Sequence, residues 1–244
     1  VVQFFGFFQI STTLWVTGSF DNPAGFAACL CAGFPFVGFL LSDSNKYIRY
    51  VGGLIGFVIV IAVILSQSRA GIMSIAFICF ILLNMKFFHK RWVKYLSLLC
   101  FALLLSGCYW MKKDSADGRL LIWRCSVSMV KDAPWLGHGI GSFEARYMDY
   151  QADYFRQYGL NRYSMLADNV KHPFNEYLGV LLNFGFVGLL MILALITLLI
   201  YCYKKHPCAE KRIAFYSLIS IGVFSFFSYT FTYPFTWIVT FLCI

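Results

Sequence analysis

The sequence predicts an all-α fold, a polytopic bundle of transmembrane helices with one large polar loop between spans. Hydrophobic residues make up 60% of the 244-residue chain and charged residues only 13%, whereas a soluble domain carries about 25% charged residues. Apolar runs close to or above the roughly 17–25 residues that a spanning helix needs recur along the chain. One polar stretch, residues 111–175, interrupts them and holds nine of the twenty Lys and Arg residues.

Six apolar runs predict six spanning helices, at residues 26–41, 50–65, 70–88, 95–111, 177–203 and 213–232. Two shorter apolar runs, 1–10 and 235–244, look like parts of further spans. We therefore expect the C-terminal part of a longer protein. Its predicted domains are residues 1–110 with about four spans, the loop 111–175 with interfacial helices, and residues 176–244 with the remaining spans.

Three short loops are basic and together hold half of all Lys and Arg residues: Lys46 and Arg49; Lys86, Lys90, Arg91 and Lys94; Lys204, Lys205, Lys211 and Arg212. By the positive-inside rule these loops face the cytoplasm. Alternation of the spans then places the short 66–71 hairpin and the long 111–175 loop on the outer face. The polar chemistry of the chain is therefore expected outside.

The cysteines do not indicate a disulfide framework or a metal site. Six of the nine lie in or beside apolar runs, where Cys acts as a small hydrophobe. Only Cys125 lies clearly in the long loop, and no CxxC motif occurs. The net charge of +9 comes mainly from the basic short loops and the outer loop, so it does not indicate nucleic-acid binding.

The outer hairpin at 66–71 carries a single charge, Arg69. Because the hairpin is barely one turn long, Arg69 is expected at the outer membrane boundary. An Arg there can snorkel to the interface as a structural residue, or it can bind an anionic ligand, and the sequence supports both interpretations equally. Upstream, Asn22-Pro23 ends a turn-rich segment, and Pro23 is expected in the first turn of the next helix.

The long loop begins with a predicted interfacial helix over 114–134, which Asp117 can cap and on which Arg119 and Trp123 lie one turn apart. Its apolar positions favour a face on the membrane surface. Three alternating glycines follow at 137–141. A plain turn is favoured over a ligand loop there, because no strand precedes the glycines as a nucleotide-binding motif requires.

Residues 142–167 are polar and rich in Tyr. Four of the tyrosines recur at helical spacing: Tyr147, Tyr150, Tyr154 and Tyr158. An amphipathic lid on the membrane surface is the favoured interpretation, and a sugar-stacking face is the alternative.

His172-Pro173 precedes the longest apolar run. Proline fits the first helical turn, so His172 is expected just before the N-terminus of that helix, on the outer face. Unpaired N–H groups and the helix dipole favour anions at such a place. A lone His is usually structural, but a His held there with Asn175 and Glu176 within one turn is also a candidate general base.

Arg69, Arg119 and His172 are thus all expected on the outer face. Arg is always charged and binds phosphate oxygens in bidentate fashion, and His can remove a hydroxyl proton near neutral pH. This combination suits a pyrophosphate-linked sugar in the outer leaflet. No Asp-x-Asp pair occurs in the long loop, so arginines rather than a bound metal are expected to neutralise the leaving group.

Five motifs carry a resemblance to a known family. They are TGSFDNP at 17–23, SRAG at 68–71, GRLLIW at 118–123, DAPWLGHGIGSF at 132–143 and HPFNEYL at 172–178. Their order and spacing between spans resemble the O-antigen ligase / Wzy-type O-antigen polymerase superfamily of bacterial polytopic membrane glycosyltransferases. The resemblance covers most of the chain.

The resemblance implies a GT-C-like helical glycosyltransferase in the bacterial inner membrane, with its active site on a large periplasmic loop. It implies transfer of a glycan from undecaprenyl diphosphate to a hydroxyl acceptor, with inversion and without a metal or other cofactor. By motif, Arg69 and Arg119 would bind the diphosphate, and His172 would activate the acceptor hydroxyl. Three further residues are carried over as supporting residues: Asn175, Trp123 and Asn22.

Many relatives have His-x-His-Asn at the last motif, where this chain has His172-Pro173-Phe174-Asn175. The first His and the Asn are present, and Phe174 stands at the position of the second His. This pattern favours His172 as the base and gives Asn175 an orienting role.

Within the family the acceptor stays open. A ligase that joins O-antigen to lipid A-core is slightly favoured over a polymerase of lipid-linked repeat units and over a protein O-oligosaccharyltransferase. From another class, a transporter of a lipid-linked or anionic solute predicts charges or broken helices at the bilayer midplane, whereas the predicted spans are nearly free of charge. A structural scaffold gives no reason for Arg69 in its hairpin or for His172 before a proline.

Overall fold

The computed structural model describes residues 2–4, 8–10, 16–20, 22–86, 90–111, 113–205 and 208–244. The chain is mainly helical, with one antiparallel hairpin in which β1 (Val2–Phe4) pairs with β2 (Phe8–Ile10). The described residues of the 1–10 run thus form strands and not the end of a spanning helix. Val, Ile and Phe, which make up most of these strands, favour strands as readily as spans.

Ten α-helices follow in the part of the chain that the structure describes: α1 (Pro23–Gly33), α2 (Val37–Leu41), α3 (Lys46–Leu65), α4 (Arg69–Lys86), α5 (Arg91–Met111), α6 (Lys113–Asp132), α7 (Ser142–Tyr158), α8 (Glu176–Lys205), α9 (Ala209–Phe227) and α10 (Pro234–Cys243). Short 3-10 helices lie at Phe34–Phe36, Ser164–Leu166 and Thr230–Thr232.

Within the described part of the chain, three helical segments are long and apolar enough to cross a membrane, by length and composition: Pro23–Leu41, α3 and α8. Shorter apolar helices lie at Arg69–Met85 and in α10. The prediction of a helical membrane protein is confirmed. The run predicted as 213–232 is not one helix, because the backbone is extended at Ser228, where α9 has ended (φ −156°, ψ 178°).

By its internal contacts the chain divides into two compact units. Val1–Leu105 and Tyr203–Ile244 form the first, which we call the bundle unit. Ser106–Cys202 form the second, which we call the loop unit. The domain boundaries predicted at 110 and 175 stay predictions.

Small residues bring α1, α4 and α9 together in the bundle unit. Four residues of α1 are at most 3% exposed: Ala27, Ala28, Cys31 and Ala32. Between α4 and α9, Ser74 Oγ lies 2.7 Å from Ser220 Oγ, which donates to the Cys31 carbonyl of α1 at 2.7 Å. Close approach of small residues and hydroxyl bonds between helices are the usual means of helix association in lipid, where the hydrophobic effect gives little driving force.

The loop unit has a core of its own, built by α6 and α7. Leu121, Cys125 and Met129 lie one turn apart on α6 and are each at most 1% exposed, and Phe143 and Tyr147 of α7 belong to the same cluster. Leu121 and Ile122 of the predicted apolar face thus pack inside the unit, whereas Leu120 and Val127 are exposed, and the membrane-surface face of α6 stays a prediction. An apolar stripe at helical spacing does not specify which apolar surface will cover it.

Asp117 does not cap α6 as predicted, because the helix begins four residues earlier, at Lys113. The Asp117 side chain is buried and accepts a hydrogen bond from the Tyr109 hydroxyl of α5 at 3.2 Å. This carboxylate therefore ties the end of α5 to α6.

α8 is broken at Gly185, whose backbone (φ 61°, ψ −159°) is not helical. The glycine-rich loop between α6 and α7 is bonded to this break through backbone groups: His138 N donates to the Leu182 carbonyl at 2.7 Å, and Phe186 N donates to the Pro134 carbonyl at 2.8 Å. The glycines thus allow the backbone of this loop to come close to the backbone of α8.

Two glycines leave no room for a side chain at this junction. A Cβ on Gly185 would lie 2.3 Å from the Trp135 carbonyl oxygen, and one on Gly137 would lie 2.6 Å from the Asn183 carbonyl carbon. The predicted continuous span at 177–203 is therefore two pieces. Residues 186–205 alone give about 30 Å of helix, which is enough to cross the hydrocarbon core.

Candidate active site

One face of α6 holds the segment that carries His172. Arg119 and Trp123 lie four residues apart, so their side chains are neighbours on the helix surface. Trp123 Nε1 donates a hydrogen bond to the Pro173 carbonyl at 2.9 Å, and the Arg119 guanidinium carbon lies 5.1 Å from the ring centroid of Phe174. The structure thus brings two predicted site residues of α6 against the segment of the predicted base.

Phe174 turns the chain and contacts Arg119. Its backbone is left-handed (φ 53°), a conformation that costs a non-glycine residue about 1–2 kcal/mol. An arginine stacked on its ring contributes about 0.5–1 kcal/mol at an exposed site, which offsets part of that cost. Sequence reasoning assigned no role to Phe174. The sequence marked Phe174 only as the residue that stands where many relatives have the second His of the motif. Its contact with Arg119 arises because α6 packs against this segment.

Asn175 caps α8. Its side-chain oxygen accepts a hydrogen bond from Leu178 N at 3.0 Å, and the residue is buried. The helix begins at Glu176, so Pro173 lies outside the first turn, contrary to the prediction. His172 is accordingly further from the helix N-terminus than expected, and the helix dipole acts on it less than predicted.

His172 is half-buried. Burial lowers its pKa below the ordinary value of 6.5, the carboxylate of Glu144 acts to raise it, and the ammonium of Lys171 acts to lower it. Glu144 and Lys171 also pair with each other, at 3.7 Å between Oε1 and Nζ. Because the pKa lies below 6.5, the imidazole is neutral at pH 7, which is the form a general base needs.

Any activity that needs neutral His172 is expected to be lost as the pH falls through that lowered pKa and to reach a plateau by pH 7. Glu144→Gln removes the charge that raises the pKa, so the acid limb of kcat/KM should move to lower pH. Lys171→Gln removes the opposing charge and should move it to higher pH. Shifts of both variants in the same direction, or no shift in either, would contradict the assignment.

Arg69 is the first residue of α4, in the bundle unit. Ser68 Oγ accepts from Gly71 N at 3.3 Å, and Ser66 Oγ donates to the Val63 carbonyl at 2.7 Å. The serines thus build a tight turn that starts α4, and Arg69 is half-buried at its N-terminus. Its predicted convergence with Arg119 and His172, which belong to the loop unit, stays a prediction.

Asn22 has structural partners in the bundle unit. Its Oδ1 accepts from Gly25 N and from the Tyr233 hydroxyl, both at 2.9 Å, and its Nδ2 donates to the Tyr229 hydroxyl at 3.2 Å. These bonds cap α1 and connect it to the start of α10. They account for the Asn in the first motif, and the supporting role predicted for Asn22 at the site stays a prediction.

The Tyr-rich helix α7 divides its tyrosines between the core and the surface. Tyr147 is 1% exposed and stacks on Phe143, whereas Tyr158 is 62% exposed. The Tyr150 hydroxyl donates to Asp132 at 2.5 Å, and this hydrogen bond to the carboxylate raises the pKa of Tyr150 to about 12. Tyr154 is partly buried against the core of the unit, and its hydroxyl accepts from Arg124. The helix therefore has one packed face and an exposed aromatic ring at Tyr158.

Among the described residues, no three His, Cys, Asp or Glu side chains group closely enough to hold a metal ion. The eight cysteines whose side chains are described are free thiols. Burial raises the pKa of Cys125 to about 11, so this thiol is a packing residue and a poor nucleophile.

A family model described as O-antigen ligase matches residues 54–193, which is more than half of the chain. The match includes five of the predicted site residues and excludes Asn22: Arg69, Arg119, Trp123, His172 and Asn175. No curated protein matches the chain.

Proposed function

Because the chain belongs to the O-antigen ligase family, we propose that it transfers a glycan from undecaprenyl diphosphate to a hydroxyl acceptor. The proposed acceptor is lipid A-core, and the proposed place is the periplasmic face of the bacterial inner membrane, on a GT-C-like helical scaffold. The observation that carries this proposal is the docking of the His172 segment onto α6 beside Arg119. A base and a diphosphate-binding cation are then held by one helix.

In the proposed reaction, His172 removes the proton of the acceptor hydroxyl, and the oxygen attacks the anomeric carbon on the side opposite the diphosphate. The bond from that carbon to the diphosphate oxygen breaks, and the configuration inverts. Arg119 binds the diphosphate and stabilises the negative charge that it gains. The diphosphate-binding role proposed for Arg69 rests on its motif alone. His172 then releases its proton to solvent. The proposed reaction uses no metal and no cofactor.

Trp123 and Asn175 are proposed as positioning residues. Trp123 fixes the chain directly after His172 through the Pro173 carbonyl, and Asn175 fixes the start of α8 directly after that segment. Their effect on transfer would run through the orientation of the imidazole.

Trp123→Phe keeps an aromatic ring and removes the hydrogen bond to Pro173. A net loss of about 1 kcal/mol for that bond corresponds to a fall in kcat of about fivefold to tenfold, with the donor KM little changed. The matched control is Trp135→Phe, because Trp135 is 69% exposed on the loop between α6 and α7 and should retain full kcat. A fall of the same size in both variants would count against a positioning role for Trp123.

The proposed function is tested by the glycans of cells that lack the full-length gene, with lipid-linked intermediates measured alongside. Long polymer retained on the lipid carrier, with bare core at the surface, supports a ligase. Core that carries single repeat units indicates a polymerase. Unchanged polysaccharide with altered glycoproteins indicates protein glycosylation, and an unchanged glycan profile throughout would overturn the proposal.

A further inference from the structure

Two exposed arginines of the loop unit each lie close to the same aromatic ring, away from the contacts of Arg119. The guanidinium carbons of Arg124 and Arg162 lie 5.1 Å and 4.7 Å from the ring centroid of Tyr163. Arg124 comes from α6, and Arg162 comes from the segment that follows α7. Neither arginine was singled out by the sequence, because the two lie 38 positions apart in the chain.

The ring under these arginines is fixed. Tyr163 is 3% exposed and belongs to the core of the loop unit. The turn around Tyr163 is held by two hydrogen bonds. Tyr163 N donates to Asn161 Oδ1 at 3.0 Å, and Asn161 N donates to Ser164 Oγ at 2.9 Å. A rigid aromatic support limits the side-chain freedom that an arginine would lose on binding an anion.

The two guanidinium groups are held, yet they are not neutralised by ion pairs. Arg124 donates to the Tyr154 hydroxyl at 3.3 Å, and Arg162 donates to the Tyr163 hydroxyl at 2.6 Å. The ion pairs Arg156–Asp153 and Lys171–Glu144 lie elsewhere in the loop unit. Asp117, the acidic group that acts on Arg162, is buried and already bonded to Tyr109.

Both guanidinium groups carry a positive charge close to the same ring. An anion with two or more oxygens could accept hydrogen bonds from both of these planar groups. The ring centroid of the exposed Tyr158 lies 4.9 Å from that of Tyr154, with the two rings tilted by 38°, and the exposed ring offers an apolar surface to a sugar. The cluster therefore offers an anion contact next to an aromatic contact.

This anion position differs from the one at Arg119. Arg124 is five residues further along α6, which means about 7.5 Å along the axis and about 140° around it. Arg119 faces Phe174, whereas Arg124 faces Tyr163. One helix therefore presents cations on two separate faces, and a single diphosphate bound at Arg119 does not account for the second.

We propose that Arg124, Arg162 and Tyr154 form an acceptor subsite that binds a phosphate or carboxylate group of the acceptor glycan. This inference rests on the proposed function, since it assigns the donor diphosphate to Arg119 and the anionic acceptor to the other face of α6. α6 then holds both substrates, and the subsite selects acceptors by their negative charge.

The test uses the full-length protein in phosphatidylcholine vesicles with a lipid-linked glycan donor. The acceptors are a phosphorylated core oligosaccharide lipid and the same acceptor after enzymatic removal of its phosphates. The double variant Arg124→Gln/Arg162→Gln should raise the KM of the phosphorylated acceptor about tenfold or more, because charge-assisted bonds are lost. Its donor KM and its kcat should stay within about twofold of the wild type.

The wild type should show the same rise in KM when the acceptor lacks phosphates, and the double variant should not distinguish the two acceptors. The control is Arg156→Gln, an exposed arginine of α7 that pairs with Asp153, and it should behave as the wild type. A double variant with an unchanged acceptor KM would overturn the subsite.

Further outcomes of the same experiment distinguish an acceptor phosphate from a phospholipid headgroup as the anion that binds. A defect of the double variant that appears only when phosphatidylglycerol is added, and equally for both acceptors, would overturn the subsite in favour of a phospholipid headgroup site. A wild type that binds the donor but transfers glycan to neither acceptor would overturn the proposed function itself. Normal wild-type transfer with an unaffected double variant would overturn the subsite alone.

Discussion

Replacing His172 with Ala is expected to abolish glycan transfer while the protein remains inserted and folded. A positioned general base contributes about 10²–10⁴-fold to rate. His138, the other His whose side chain the structure describes, is bonded to Met129 and Arg146 and is not available as a substitute base. His172 is half-buried in the irregular segment before α8 and belongs to no helix, so its loss should leave the helices in place. The measurement is single-turnover transfer from a lipid-linked donor, with membrane insertion and donor binding checked in parallel.

The matched control is His138→Ala in the same unit. His138 Nε2 lies 2.8 Å from the Met129 carbonyl, and its Nδ1 lies 3.0 Å from Arg146, so the side chain has a structural environment of its own. This variant should keep transfer within a few-fold of the wild type. Normal transfer by His172→Ala would show that the base is another group, and loss of donor binding in that variant would show that His172 acts on the diphosphate.

The helices of the chain were predictable because hydropathy records which segments lipid can accept. The run at 26–41 lies in the apolar helical segment Pro23–Leu41, and the run at 50–65 lies in the apolar helix α3. The same signal did not reveal the break in α8, since Gly185 interrupts an apolar run without adding polarity. Hydropathy measures composition, and the break depends on backbone angles and on a partner loop.

The start of α8 illustrates a second limit. Pro173 as the first helical residue would start the helix at 173, whereas Asn175 as the cap starts it at 176, three residues later. The Asn cap is used, because Phe174 takes a left-handed turn between the two. Only the tertiary contacts of Trp123 and Arg119 with this segment settle the choice, and they join residues 50 or more positions apart.

The candidate site was therefore predictable residue by residue but not as an arrangement. Motif spacing identified Arg119, Trp123 and His172, and the structure brings the first two against the segment of the third. For α6, the apolar stripe was visible in the sequence, but the packing of Leu121 and Ile122 inside the loop unit was not. A stripe fixes which face is buried, and the identity of the partner depends on α7 and Tyr163.

Replacing Gly185 with Ala is expected to cause the largest loss of stability among single changes in the loop unit. The backbone at φ 61° and ψ −159° belongs to a region that is essentially restricted to glycine, and a side chain there costs about 1–3 kcal/mol. The added Cβ would also lie 2.3 Å from the Trp135 carbonyl oxygen, a backbone atom that cannot rotate away. Together these effects predict a fall in Tm of about 10 °C in detergent.

Gly179→Ala on the same helix is the matched control, because its Cβ would meet nothing closer than Pro173 Cγ at 3.6 Å and Ala favours a helix. Its Tm should equal or slightly exceed that of the wild type. If Gly185→Ala is as stable as this control, α8 can run straight through residue 185, and the bonds from the 134–139 loop are not needed to hold it. If it is destabilised as expected, limited proteolysis should cut first in that loop. Transfer should also fall in the surviving protein, because the piece of α8 before the break is capped by Asn175, next to the segment that carries His172.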